Sequence, residues 1–285
     1  EGVDPVTAIR MATLNAAECF GLKDRGAIAP GYRADVVLLD DLKDFHVNRV
    51  FIEGALVAEE GEYLPEIKRY DISSVKGSVI VKDFSKEKFK MHLKSNKVNV
   101  IKILPGGVVT QKTTAEIKLD DQGEFIRDPE KDLVKVAVVE RHQGTGNVAC
   151  GFLEGYGIKE GAVALSVAHD SHNIIVVGVS DEEMEFAVNS LIKQEGGIVL
   201  VKEGKVIESM PMPIAGLMSD QSGEWVDQKL TDIHAKAYEE LGICGDVEPV
   251  MTLCFMSLAV IPEVKLTDMG LFDVTTFSFI PVEAE

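Results

Sequence analysis

The spacing of apolar and polar positions divides the chain into elements before any chemistry is considered. Asp4 is placed to cap a helix, Pro5 takes its first position, and Val6 to Phe20 carries it on to Gly21, which suits a left-handed terminus. A turn at Pro30-Gly31 then leads into a strand from Ala34 to Leu39. The segment "NRVFIEGALVAEEGEYL" predicts a hairpin-like pair turning near Glu53-Gly54 and Glu60-Gly61, so residues 22–64 read as a small β unit. From about Pro65 the texture changes. Lys- and Glu-rich stretches bracket expected strands at Gly77–Val81 and Val98–Ile103, and a polar, turn-rich stretch runs from Leu119 to Lys131. A strand ending at Val139 gives way to a glycine-rich loop after His142. Ala162–Val167 and Ile174–Val179 read as core strands. Ser180 with Glu183 forms a capping box for a helix from Asp181 to Gln194 whose apolar face is Met184, Ala187, Val188, Leu191 and Ile192. A hairpin turning at Glu203-Gly204-Lys205, a helix over roughly Val226–Leu241 and a strand-rich tail complete an α/β unit. There is no repeat of solenoid period.

Composition narrows the class. A length of 285 residues exceeds the common domain size and predicts more than one packing unit. No run approaches the roughly 18 uninterrupted apolar residues of a membrane span. The start, Glu1-Gly2-Val3-Asp4-Pro5, has neither a basic stretch nor an apolar core, so no signal peptide is expected there, and its lack of a Met is what a fragment would show. Forty-seven acidic against 29 basic residues give a net charge of −18, which argues against nucleic acid or an anionic membrane as partner. Cys19, Cys150, Cys244 and Cys254 are scattered without a Cys-x-x-Cys pair. They read as reduced thiols of a cytoplasmic protein, neither a disulfide frame nor a zinc site, with Cys244 and Cys254 expected to be buried.

The densest polar cluster is "VAHDSHN", residues 167–173, set between the two expected core strands. His169 and His172 would point apart along an extended chain, but a turn at Asp170-Ser171 would bring them together. With Asp170, Ser171 and Asn173 they suit a proton carrier or a ligand-binding loop. An Asx-type turn that satisfies its own backbone is the other reading. Arg141 and His142, followed by Gly144-Thr145-Gly146-Asn147, form a second cluster. Its glycines lack both the Walker lysine pattern and the dinucleotide spacing, so a phosphate cradle is not expected. Glu140, Arg141 and His142 are instead expected to form an ion pair and hydrogen bonds with the 169–173 loop. "PMPIAGLMSD", residues 211–220, would make an apolar wall or a core contact, with Ser219 and Asp220 capping the next element. His46, His92 and His234 stand alone and read as surface or locally bonded residues.

The opening "DPVTAIRMATLNAAECFGLKDRGAIAPGYRADVVLLD" resembles the end of amidohydrolase-superfamily enzymes, with Gly26, Ile28, Pro30, Gly31, Ala34 and Asp35 fitting the pattern. Residues 138–178, 211–220 and "LTDMGLFDV" at 266–274 resemble the C-terminal domain of adenine deaminases. The resemblance covers nearly the whole chain and is weakest over 65–130. It implies an α/β (α+β) fold in three parts: the last helix of a (β/α)8 barrel at 1–22, part of a small β-sandwich domain at 23–64, and a C-terminal mixed α/β domain at 65–285. It further implies hydrolysis of adenine to hypoxanthine and ammonia, in purine salvage. A divalent metal (manganese or iron, with zinc as the alternative) would sit in a barrel whose ligands precede residue 1. No metal is expected on this chain alone, no catalytic residue is certain within it, and its isolated turnover should be negligible. The implied partners are adenine, the preceding barrel and further copies in a homo-oligomer. The resemblance also favours the 169–173 loop as one that faces the barrel's active site. Two alternatives stand beside this: an independent binding or assembly module, and a substrate-covering domain of another amidohydrolase, such as a cyclic-amide hydrolase. The motifs at 167–173 and 211–220 lie outside the shared superfamily portion and argue against the latter.

Overall fold

The structure, a computed structural model, describes residues 2–284. It is mixed α/β and separates into two compact units that divide between Tyr70 and Asp71.

In the first unit, α1 (Pro5–Arg10) runs through a π-helical turn at Met11–Asn15 into α2 (Ala16–Cys19). The expected cap is present, with Asp4 Oδ2 accepting from Thr7 N at 2.9 Å. The helix ends at Gly21, and Leu22 N closes back on Ala17 O at 2.8 Å, satisfying a carbonyl that would otherwise be orphaned. Four antiparallel strands come next in sequential order: β1 (Val36–Leu39), β2 (Val47–Ile52), β3 (Ala55–Glu59) and β4 (Glu62–Tyr63). The turns fall at Glu53-Gly54 and Glu60-Gly61, with both residues of each at positive φ, the twist that tight hairpins require. Among the described residues of this unit only Ala17 is buried; Val37, Leu38, Ile52 and Leu56 of the sheet are exposed.

The second unit is built on an eight-stranded sheet. In chain order its strands are β5 (Lys97–Ile103), β6 (Thr110–Glu116), and, after a small hairpin of β7 (Lys118–Leu119) and β8 (Phe125–Ile126), β9 (Leu133–Val139), β10 (Val148–Glu154), β11 (Ala162–Leu165) and β12 (Ile174–Gly178). Helix α3 (Asp181–Lys193) then leads to β13 (Gly197–Lys202) and β14 (Lys205–Pro211). The spatial order is β14-β13-β11-β12-β9-β10-β5-β6, antiparallel throughout except for the parallel β10–β5 pair. The remaining elements are α4 (Gly223–Glu239), α5 (Pro249–Cys254) and a meander of β15 (Val264–Thr267), β16 (Gly270–Asp273) and β17 (Ser278–Ile280).

Side-chain alternation explains the layering. Ala137, Val139, Ala162, Ala164, Ile174 and Val176 pack on one face against Met184, Ala187, Val188 and Leu191 of α3. Val136, Val138, Val163, Leu165, Ile175 and Val177 pack on the other against α4, α5 and the meander. With both faces covered, the central strands are apolar apart from Lys135 of β9, whose ammonium donates to Phe89 O and Asp181 Oδ1, and every residue of β9 is buried.

Several expectations need correction. Residues 77–81 are not a strand; Ile80 N reaches Arg141 O at 2.8 Å, but no ladder forms around that bond. Ser180 does cap α3, accepting from Glu183 N at 3.2 Å, yet Glu183 does not reach back. Its Oε1 accepts from Gly204 N instead, at 3.1 Å. The cap of α4 is Ser222, not Ser219 or Asp220: Trp225 N donates to Ser222 Oγ at 3.3 Å, and Asp220 pairs with Lys76. Cys254 is buried, but Cys244 is exposed.

Candidate functional site

The 169–173 loop is the connection between β11 and β12, and residues 140–147 leave the same end of neighbouring β9. Both loops therefore spring from the rigid centre of the sheet. The turn at Asp170-Ser171 brings the two histidines together: the His169 and His172 rings meet edge-on with centroids 5.6 Å apart. Phe255, just beyond α5, lies against His169 with ring centroids 4.8 Å apart, and His169 N donates to Cys254 O at 2.9 Å. Asp170 and Ser171 are exposed, His169 and His172 half-buried, and Asn173 buried.

Arg141 is the anchor of this arrangement. It is only 1% exposed, and its guanidinium meets backbone carbonyls: Nε donates to His172 O at 2.5 Å, Nη2 to Ala215 O at 3.2 Å and Nη1 to Ser78 O at 3.5 Å. Gly216 lets it lie there, since a Cβ on that glycine would stand 2.7 Å from Nη1. Burial pushes the Arg141 pKa down to about 10, against the opposing pull of Glu140. The group still carries its charge at neutral pH and ties three segments together. Its backbone N–H donates to Asn173 Oδ1 at 3.3 Å.

The ion pair expected between Glu140 and this cluster does not form among the described residues. Glu140 instead turns into its own loop, accepting from His142 N at 2.6 Å, Gln143 N at 2.8 Å, Thr145 N at 2.9 Å and Thr145 Oγ1 at 3.1 Å. Burial raises the Glu140 carboxyl, but these donors outweigh it and hold its pKa below the ordinary value. The hydrogen bonds expected between the two loops do form. His142 Nε2 lies 2.8 Å from Ser171 O, so His142 braces the loop from its exposed side. Within the Gly144–Gly146 stretch Thr145 serves Glu140, and Gly146 O accepts from Lys88 Nζ at 2.7 Å.

His172 is the unpartnered group of this cluster. Burial, then neighbouring His169 and Arg141, push its pKa down, with Asp170 opposing, so the imidazole is held neutral at physiological pH. Its Nδ1 is buried without a hydrogen-bond partner among the described residues. A neutral imidazole nitrogen can accept or donate one hydrogen bond, but this one is closed to solvent and would meet a ligand or a proton relay only through a movement of the loop. The donor set does not suit a metal: among the described residues no three His, Cys, Asp or Glu side chains converge on one point. His142 Nε2 is already bonded to a carbonyl.

The 211–220 segment reaches the site through its backbone. Ala215 O takes the Arg141 guanidinium, and Gly216 O accepts from buried Ser166 Oγ at 2.5 Å. His46, His92 and His234 are elsewhere and each pairs locally, with Asp40, Glu124 and Glu248. Two residues that contribute carry no local signal in the sequence, Phe255 and Asp268. Asp268 Oδ1 accepts from Asn173 Nδ2 at 3.2 Å across 95 positions.

Comparison with known proteins matches the chain to two family models. The family described as the adenine deaminase C-terminal domain matches residues 107–278, and that described as the amidohydrolase family matches residues 1–57. Among curated relatives, the chain is 66% identical over 284 residues to "Adenine deaminase 2" of Desulfotalea psychrophila, covering 100% of this chain and 49% of the relative. It is 50% identical over 285 residues to "Adenine deaminase" of Ligilactobacillus salivarius and 42% identical over 286 residues to that of Bacillus pumilus, each match covering 100% of this chain and 49% of the relative. The chain thus spans about half the length of the curated relatives it matches.

Proposed function

The chain belongs to the adenine deaminase C-terminal domain family, and from that premise we propose that it is the C-terminal part of an enzyme that hydrolyses adenine to hypoxanthine and ammonia. Water oxygen bonds to the purine C6, the bond from C6 to the exocyclic nitrogen breaks, and ammonia leaves. Residues 1–22 are then the last helix of the catalytic barrel, 23–64 part of a small β domain, and 65–285 the C-terminal domain. The exposed apolar residues of the first unit support this, because Val37, Leu38 and Ile52 lack a covering layer among the described residues. A divalent metal, manganese or iron, would activate the water in the barrel. On this reading its ligands lie in the barrel; among the described residues no three His, Cys, Asp or Glu side chains converge on one point.

The observation that carries the role of this domain is the paired His169 and His172, held on a fixed loop with a buried, unpartnered Nδ1. Nothing in a self-satisfied turn calls for that nitrogen to be left open. On this reading the 169–173 loop lines the adenine site; His172 hydrogen-bonds the purine, while Arg141 and His142 hold the loop in place. Purine salvage, a cytoplasmic setting and a homo-oligomeric state belong to the same proposal. No helix among the described residues is long and apolar enough to cross a membrane.

The test is adenine turnover with metal analysis, on this chain and on the full-length enzyme. The chain alone should be inactive. In the full-length enzyme, His169→Ala and His172→Ala should each lower turnover by on the order of 100-fold while metal content stays constant. Turnover by the 285-residue chain, or full activity in both variants, would refute the division of labour.

A further inference from the structure

We propose that Asp268 is a positioning residue for the candidate site: one carboxylate, from the β15–β16 turn, sets the distance between the 140–147 and 169–173 loops. The inference rests on the functional reading above for its consequence in catalysis, though not for its geometry. Asp268 Oδ1 accepts from Asn173 Nδ2 at 3.2 Å, and Oδ2 accepts from Asn147 Nδ2 at 3.5 Å. Each asparagine belongs to a different loop. Asn173 directly follows His172, and its other amide atom, Oδ1, takes Arg141 N at 3.3 Å. Asn147 closes the second loop, with its carbonyl accepting from Glu140 N at 3.0 Å. The carboxylate therefore spans the gap between the chain beside His172 and the chain that carries Arg141 and His142.

The turn bearing Asp268 is itself fixed. Thr267 Oγ1 accepts from Met269 N at 3.1 Å, and Thr267 is registered against Gly270 across the hairpin. Leu266 and Leu271 on either side are buried in the main core. A carboxylate on so rigid a base acts as a ruler, because both its oxygens accept and its donors have little freedom. Asn147 and Asn173 lie 121 and 95 positions from Asp268, so neither bond arises from local geometry. Asn173 is also nearly fully buried. Losing its acceptor would leave an amide N–H without a partner and favour rearrangement of the loop.

Two measurements decide the matter, and they fail separately. The first uses this chain and needs no activity: the His172 titration, followed by NMR of its ring protons. His172 faces His169, Arg141, Asp170 and His142, and its pKa lies below the ordinary 6.5 mainly because the site is desolvated. Asp268→Ala should loosen the loop, admit water and move the titration up toward 6.5. Asp268→Asn keeps one carbonyl acceptor for Asn173 and should restore most of the original value. The second uses the full-length enzyme: Asp268→Ala should lower kcat roughly 10- to 100-fold while KM changes little, as misplacement of a positioned group does, and Asp268→Asn should recover much of it. Wild-type titration and wild-type kcat in Asp268→Ala overturn the proposal. A shifted titration with unchanged kcat, in an enzyme that needs His172, also overturns it. A shifted titration in an enzyme indifferent to His172 defeats the functional reading while the geometry stands. If Asp268→Ala does not fold, Asn173→Ala and Asn147→Ala replace it; the first must shift His172 more than the second, and silence in both overturns the proposal.

Discussion

Lys265 offers a direct test of how this fold tolerates a buried charge. It lies in β15 between Val264 and Leu266, both core residues, and points to the opposite face with no exposure to solvent. Its ammonium donates to Val108 O at 2.9 Å, and desolvation lowers its pKa from 10.5 to about 8. A folded-state pKa below the unfolded value means the unfolded chain holds the proton more tightly. The cost to stability is thus complete below about pH 8 and fades as pH rises through 10.5. The difference of about 2.5 pH units corresponds to about 3 kcal/mol at pH 7 and falls below about 1 kcal/mol at pH 10. Replacing Lys265 by Met removes that cost but also a hydrogen bond worth about 1 kcal/mol, so the variant should be more stable by about 2 kcal/mol at pH 7 and nearly equal at pH 10. The assay is urea unfolding at both pH values, followed by fluorescence of Trp225, the only tryptophan, which lies in α4 of the second unit. A Met variant less stable by more than about 1 kcal/mol at pH 7, or a difference that is the same at both pH values, would refute the reasoning.

Two further predictions concern the loops around Arg141. Glu140→Ala removes the acceptor for three backbone N–H groups and one hydroxyl; it should cost about 2–3 kcal/mol and speed amide exchange at His142, Gln143 and Thr145. Unchanged exchange there would show that the carboxylate does not organise the loop. Gly216→Ala places a methyl 2.7 Å from Arg141 Nη1 at a φ of +72°, and should destabilise the chain by about 2 kcal/mol or more. Thermal melting checks it, and an unaltered midpoint would mean that Arg141 is free to move away.

How much of the fold is legible in the sequence depends on how local each determinant is. β9, β11 and β12 are legible because covering both faces of a sheet demands nearly unbroken apolar residues, with Lys135 of β9 the single interruption, a pattern with few other causes. Helix α3 is legible from its period and Ser180, and the β13–β14 hairpin from Glu203-Gly204. β6 escapes a reading by pattern because it is an edge strand whose sequence, TQKTTAE, faces largely toward water and carries no apolar alternation. β10 escapes it because Gly151 interrupts the run; that glycine lies against Leu266 and Leu271 of the meander, a contact no local pattern announces.

The same distinction separates the two halves of the candidate site. Its polar residues are legible, because "VAHDSHN" breaks an apolar run at a place where burial would otherwise exclude it, and the expected turn does bring His169 to His172. Their partners are not. Arg141 reaches Ser78 and Ala215 across 63 and 74 positions, and Asp268 reaches Asn173 across 95. A buried guanidinium predicts only that acceptors must exist, since leaving it unpaired costs several kcal/mol. It cannot say that they will be carbonyls, which bind it without neutralising its charge. That difference matters chemically. A carboxylate partner would have cancelled the positive field on His172, whereas a carbonyl cradle preserves it, and so the residue that anchors the loop also helps to keep the imidazole neutral.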